Sequence, residues 1–120
     1  MKALLIVAHG SRRAESNQEV AALTRQVEEL ADNDFDMVGC AFLELAEPLI
    51  PDGISHLIAK GASEVSVVPY FLAAGTHVQS DIPAEVGKAR LQHPDIEIKL
   101  MDYLGAQPGV AEILIGIARQ

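Results

Sequence analysis

Four short apolar runs, 3–8 (ALLIVA), 37–43 (MVGCAFL), 64–72 (EVSVVPYFL) and 96–102 (IEIKLMD), alternate with four stretches in which apolar residues recur every three or four positions. The runs show little polar alternation, as expected of strands buried on both faces. The stretches between them place Val20, Leu23, Val27 and Leu30, then Ile50, Ile54, Leu57 and Ile58, on single helix faces. Val78, Ile82, Val86 and Ala89 follow the same rule, as do Val110, Ile113, Leu114 and Ile117. Strand followed by helix, repeated in this way, leaves few solutions, because crossovers between parallel strands are right-handed. The expected fold class is α/β: a four-stranded parallel sheet with helices on both faces, flavodoxin-like, in the order 2-1-3-4. A chain of 120 residues supplies one ordinary core, so residues 1–120 read as one domain without linker or repeat.

Charge narrows the partners. Nine Lys and Arg against 17 Asp and Glu give a formal charge of −8, which repels nucleic acid and anionic lipid, so neither is an expected partner. No apolar segment approaches the roughly 18 residues that cross a bilayer. The opening apolar run is followed by Arg12 and Arg13 rather than by a cleavage site, so no export signal is expected. With one cysteine, Cys40, no internal disulfide can form, and the expected location is the cytoplasm. Cys40 itself lies in an apolar run and reads as inert core.

In open parallel sheets, ligands bind beyond the carboxyl ends of the strands. The first exit reads AHGSRR: His9 at the strand end, Gly10 for a tight turn, Ser11 placed to cap, and Arg12 and Arg13 opening a helix. The second carries Glu44 and Glu47 before Pro48, the third is PYFLAAGTHVQSDIP with His77, and the fourth holds Asp102 and Tyr103. Each has a plainer alternative. His9 could be a hydrogen-bonded loop residue, the glutamates could favour a helix N-terminus, and the arginines could be solvated. Cations at a helix N-terminus are locally unfavourable, which an anionic ligand would relieve. Gly75 and Thr76 beside His77 favour a site, because glycine allows close approach of a ligand to the backbone. His56 and His93 read as structural or solvated. Asp102 and Tyr103 receive no role. Imidazoles with a carboxylate suit borderline divalent metals and proton transfer near neutral pH. No phosphate-binding loop or dinucleotide fingerprint is present.

LLIVAHGSR, AFLELAEP and VVPYFLAAGTHVQSDIP, in that order and over essentially the whole chain, resemble the small, single-domain sirohydrochlorin cobaltochelatases of the CbiX family, which are class II tetrapyrrole metal chelatases. The resemblance implies one lobe of the class II chelatase fold. It also implies ATP-independent insertion of a divalent metal into sirohydrochlorin on the way to cobalamin, sirohaem or a nickel tetrapyrrole. The metal, cobalt or else iron or nickel, is a substrate, and no permanently bound cofactor is expected. By matching motifs, His9 and His77 are implied as catalytic and metal-binding residues, with Glu44 as a further metal ligand. Ser11, Arg12, Arg13, Gly75 and Thr76 fall in the expected substrate-binding segments, the arginines facing the carboxylates of the macrocycle. No histidine-rich tract suggests metal storage.

Two other functions compete. A phosphohistidine at His9 with arginines for phosphate has a physical basis, although alanine precedes His9 where histidine phosphatases carry arginine. A non-catalytic module that binds a tetrapyrrole or metal is the second. Finally, one lobe covers only one face of a macrocycle, whereas longer class II chelatases have two lobes, so a homodimer is expected, with YFLAAG and the last helix supplying apolar surface.

Overall fold

Leu5 and Val7 of the first strand point to one side of the sheet and Leu4 and Ile6 to the other, so this strand can only sit centrally. In the computed structural model, which describes residues 1–120, it does. Strand β1 (Lys2–Ala8) pairs in parallel with β2 (Met37–Phe42) on one side and β3 (Glu64–Pro69) on the other, and β4 (Glu97–Leu100) completes the order β2-β1-β3-β4. The expected α/β class and strand order are both found. The third strand is shorter than the apolar run suggests: it ends at Pro69, not at residue 72, because its partner β1 stops at Ala8 and Tyr70 makes the last bond, its N–H donating to the Val7 carbonyl at 2.7 Å.

Helices α1 (Ala14–Ala31), α2 (Ile50–Ala59), α3 (Ile82–Gln92) and α4 (Gly109–Ala118) connect or follow the strands. The side chains of Leu5, Val7, Val65 and Val67 meet Ile50, Ile54 and Leu57 of α2 and Ile82, Val86 and Ala89 of α3 in one buried cluster. Each such aliphatic side chain contributes about 1.5–3 kcal/mol by leaving water. α1 lies on the opposite face, where Leu23 and Val27 approach Leu4 and Ile6. Leu30, expected on that inner face, is 84% exposed, because α1 runs on past the sheet. Cys40, in register with Ile6 and so on the α1 side, is half-buried rather than fully enclosed. No helix is long and apolar enough to cross a membrane.

The final helix leaves the sheet, and its apolar residues lie on the surface, as the expected apolar surface requires. α4 touches little of its own chain beyond the preceding 3-10 turn at Leu104–Ala106, and every residue from Ala111 onward is exposed. Ile113, Leu114, Ile115 and Ile117 stand 61%, 62%, 52% and 59% exposed, and the molecule is correspondingly long, 47 × 33 × 27 Å. Below the open part of the α1-side face, Glu64 pairs with Lys2 and Lys99. The hydrogen bond from Lys99 holds the Glu64 carboxyl below the usual carboxylate range, and the same bond raises Lys99.

Candidate functional site

β1 and β2 continue their parallel pairing past the ends of the strands: the Leu43 N–H donates to the Ala8 carbonyl at 2.9 Å and the Glu44 N–H to the His9 carbonyl at 3.0 Å. Sheet register alone therefore sets His9 beside Glu44, and His9 Nε2 lies 2.9 Å from Glu44 Oε2. Gly10 makes this turn possible. Its φ is +95°, and a Cβ there would sit 1.8 Å from the Glu44 carbonyl oxygen. Leu45, directly after Glu44, holds φ 68°, a left-handed conformation uncommon for such a side chain.

Beyond Pro69, the exposed segment from Leu72 to Thr76 leads into a π-helical turn, His77–Asp81, on which α3 is built. This turn brings His77 over His9, with ring centroids 4.7 Å apart and planes tilted by 58°. One ligand atom from each of His9, Glu44 and His77 lies within 4.8 Å of the others. The three expected ligands are thus brought together at the carboxyl edge of the sheet.

The ring orientations are fixed from behind. His77 Nδ1 is 2.8 Å from Asp81 Oδ2, so as the neutral tautomer it donates there and turns the Nε2 lone pair outward. His9 Nδ1 donates to the Gly10 carbonyl at 2.9 Å, which leaves Nε2 against the Glu44 carboxylate. That close N···O contact sets an imidazole nitrogen and a carboxylate oxygen side by side, where one cation can meet both. All three side chains are roughly half-exposed. Three N and O donors from one chain, open to solvent, leave coordination positions vacant, unlike the closed four-ligand shell of a structural site.

Other expected residues fall around this edge with varied contacts. Ser11 does not cap α1. Arg13 occupies the N-cap position without a side-chain cap bond, while Ser11, two residues before that N-cap, accepts the Arg13 N–H on its Oγ at 3.0 Å. The arginines therefore precede α1 rather than open it. Both are exposed, and Arg13 is 3.7 Å from Glu15. Gly75 and Thr76 are exposed, and a Cβ added at Gly75 would meet nothing within 4 Å, so the fold itself does not demand glycine there. Glu47 lines a separate depression with Asp52 and His56. Asp102 and Tyr103 line another with Val78, near the π-helical turn. His93 Nε2 bonds Ser55 Oγ at 2.9 Å, a structural role.

Two contributors escaped the sequence reading. Asp81 stands four residues after His77, a spacing that puts side chains on one helix face, and that was the available signal. Asn17 bonds both sides of Ser11, accepting its N–H at 3.0 Å and donating to its carbonyl at 2.8 Å, and so ties the His9 turn to α1. Nothing in the local sequence pairs these two residues.

The chain is also similar to known proteins along nearly its whole length. The CbiX family model matches residues 3–119. A sirohydrochlorin cobaltochelatase of Methanopyrus kandleri is 35% identical, over 96% of this chain and 93% of its own. A sirohydrochlorin ferrochelatase of Priestia megaterium is 32% identical over 96% of this chain, which spans only 42% of that protein. Among solved structures, the sirohydrochlorin chelatase SirB of Bacillus subtilis subspecies spizizenii, in complex with cobalt, superposes with a TM-score of 0.86 at 31% identity, covering 98% of this chain and 50% of that one. With its fold, motif order and nearly full-length match, the chain belongs to the CbiX family.

Proposed function

We propose that this protein inserts a divalent metal ion, cobalt in the first instance, into sirohydrochlorin without nucleotide hydrolysis, and so acts as a sirohydrochlorin cobaltochelatase. The observation that carries it is the meeting of His9, Glu44 and His77, with ligand atoms within 4.8 Å, at an open sheet edge. Insertion has two requirements. The ion must leave weak ligands for four ring nitrogens, and the pyrrole N–H protons must go elsewhere. His9 and His77 serve both: they hold the ion loosely with Glu44 and accept protons as it departs. The bare backbone at Gly75 and Thr76 gives a flat ring room to approach. Ser11, Arg12 and Arg13, on the loop that begins at His9, meet its peripheral carboxylates.

The same donor set accepts iron or nickel, since imidazole and carboxylate do not discriminate strongly among these ions. The iron-linked name of the Priestia relative supports keeping iron as an alternative substrate. The second face of the ring is covered by a second copy of the chain in a homodimer. In support, this chain spans 50% of the cobalt-bound SirB chain yet 93% of the Methanopyrus protein, as one lobe of a two-lobed whole would. A phosphohistidine reading gains no support, because the Glu44 carboxylate 2.9 Å from His9 Nε2 would repel a phosphoryl group there.

Anaerobic incubation of sirohydrochlorin with Co²⁺, Fe²⁺ or Ni²⁺, followed by visible absorption, tests the proposal. Many rings metallated per chain, fastest with cobalt, is the expected result. Conversion that stops at one ring per chain would reveal a binding module, and no acceleration over the uncatalysed reaction would sink the proposal.

A further inference from the structure

The arm that carries His77 is tied to the rest of the chain at few points. Tyr70 makes the last bond to the sheet, through its N–H and the Val7 carbonyl, and the exposed residues from Leu72 to Thr76 bond to no strand. Between these two stretches, the Phe71 carbonyl accepts the Gly105 N–H at 2.9 Å, from the 3-10 turn Leu104–Ala106 that follows β4. There the two backbones nearly touch. A Cβ at Gly105 would lie 1.8 Å from the Leu72 carbonyl oxygen and 2.5 Å from the carbonyl carbon. Gly105 does not have a positive φ, so close approach rather than backbone conformation excludes a side chain at this position.

We propose that Gly105 is a positioning residue for the metal site, acting through the base of the arm on the placement of His77. The inference rests on the reading of His9, Glu44 and His77 as metal ligands, and it brings the fourth strand exit into that site. The turn that bears Gly105 is locked from within. The Asp102 carboxylate accepts the Tyr103 N–H at 3.0 Å, and the Tyr103 carbonyl accepts the Ala106 N–H at 3.1 Å. This turn holds Phe71 by its carbonyl. The Phe71 side chain packs against the core cluster and lies beside His77, with ring centroids 6.5 Å apart and planes tilted by 45°.

A side chain at position 105 forces the Leu72 peptide back by about 1.5 Å before ordinary van der Waals contact is reached. The far end of the arm cannot yield in compensation, because Ile82, Val86 and Ala89 seat α3 in the core with no exposed surface. The strain therefore falls on the stretch between them, from Leu72 to His77. That is where the site tolerates least. The ligand atom of His77 must stay within 4.8 Å of those of His9 and Glu44, and such constellations need placement to within about 0.5 Å. A glycine that served only the fold would cost stability whichever side chain stood at position 77.

The test is a double-mutant cycle read by Co²⁺ affinity, from titration of the cobalt absorption bands, in the wild type, Gly105→Ala, His77→Ala and the two combined. Gly105→Ala should weaken binding by about 10-fold or more. Added to His77→Ala, it should change affinity by less than about two-fold, because the ligand it misplaces is already gone. Gly109→Ala makes the same chemical change where a Cβ meets nothing within 4 Å, and should bind as the wild type does. Circular dichroism checks folding, and Phe71→Leu, which keeps an apolar side chain at the base of the arm, takes the place of Gly105→Ala in the cycle if that variant does not fold. Equal losses with and without His77, or undiminished affinity in the variant tested, would overturn the inference while leaving the three ligands in place. A His77→Ala protein that binds Co²⁺ as tightly as the wild type would overturn the ligand reading and this inference with it.

Discussion

Asp81 Oδ2 accepts from His77 Nδ1 at 2.8 Å, so one carboxylate within the same π-helical turn sets the direction in which the His77 lone pair points. Carboxylates behind a metal-binding imidazole raise its basicity and hold its tautomer, and their loss typically costs 10–100-fold in metal affinity. Asp81→Ala should weaken Co²⁺ binding by about that factor, with Asp81→Asn intermediate. Titration of the cobalt absorption bands checks it, and unchanged affinity in Asp81→Ala would show that the bond only shapes the turn.

His9→Ala and His77→Ala should each remove most insertion activity while leaving the melting temperature within a few degrees, since both imidazoles are about half-exposed and leave no core cavity. His56→Ala and His93→Ala are the controls. The latter gives up its bond to Ser55 and should lose about 1 kcal/mol of stability with turnover intact. Equal loss of turnover in both pairs would remove His9 and His77 from the chemistry.

Replacing Arg12 and Arg13 together by Ala should raise KM for sirohydrochlorin several-fold with little change in kcat. Pairing with peripheral carboxylates acts alike in ground and transition states. Because both guanidinium groups are exposed, the effect should fade in salt. A KM indifferent to both substitution and salt would rule the arginines out.

Gly10→Ala should cost about 2–4 kcal/mol, since the new Cβ meets the Glu44 carbonyl and φ stays at +95°. The relief available is to push Glu44 away from His9, so cobalt affinity should fall in step. Urea denaturation and metal titration on the same sample measure the two losses.

Lys99→Met should alter stability in a pH-dependent way. Lys99 depresses the folded-state Glu64 carboxyl, so that contribution is present above the ordinary carboxylate range and is lost as pH falls through the lowered value. Lys99 is itself raised, so its contribution is present below the ordinary lysine range and is lost as pH rises through the raised value. The melting difference between wild type and variant should be largest between these limits, modest throughout because Lys99 is about half-exposed to water, and gone in strong acid. A difference that persists in strong acid would point to packing of the lysine stem instead.

The sheet was legible because LLIV, with apolar side chains on both faces, has no other place than the centre, and because His9, Glu44 and His77 each follow a strand whose end the sequence marks. Register then set His9 beside Glu44, while the π-helical turn, which the sequence does not announce, carried His77 over them. Ser11 misled because a serine before a helix usually caps it, whereas Asn17, several residues later, holds that serine instead. Leu30 and α4 show the limit of periodicity. Spacing reports that a helix has an apolar face, but not whether that face meets its own sheet. Tyr70 to Leu72 continue the chemistry of a strand after β1 has run out of length to pair with them.

The π-helical turn from His77 to Asp81 holds one more residue than an α-helical turn would. The aim of His77 therefore depends on a residue count as much as on residue identity. Loss of one exposed position, Gln79 or Ser80, would let the turn relax to α geometry, leave Ile82, Val86 and Ala89 seated in the core, and swing the imidazole by about 100° about the helix axis. A chain so shortened would fold as before and pass every test of stability, yet its two histidines would no longer face each other.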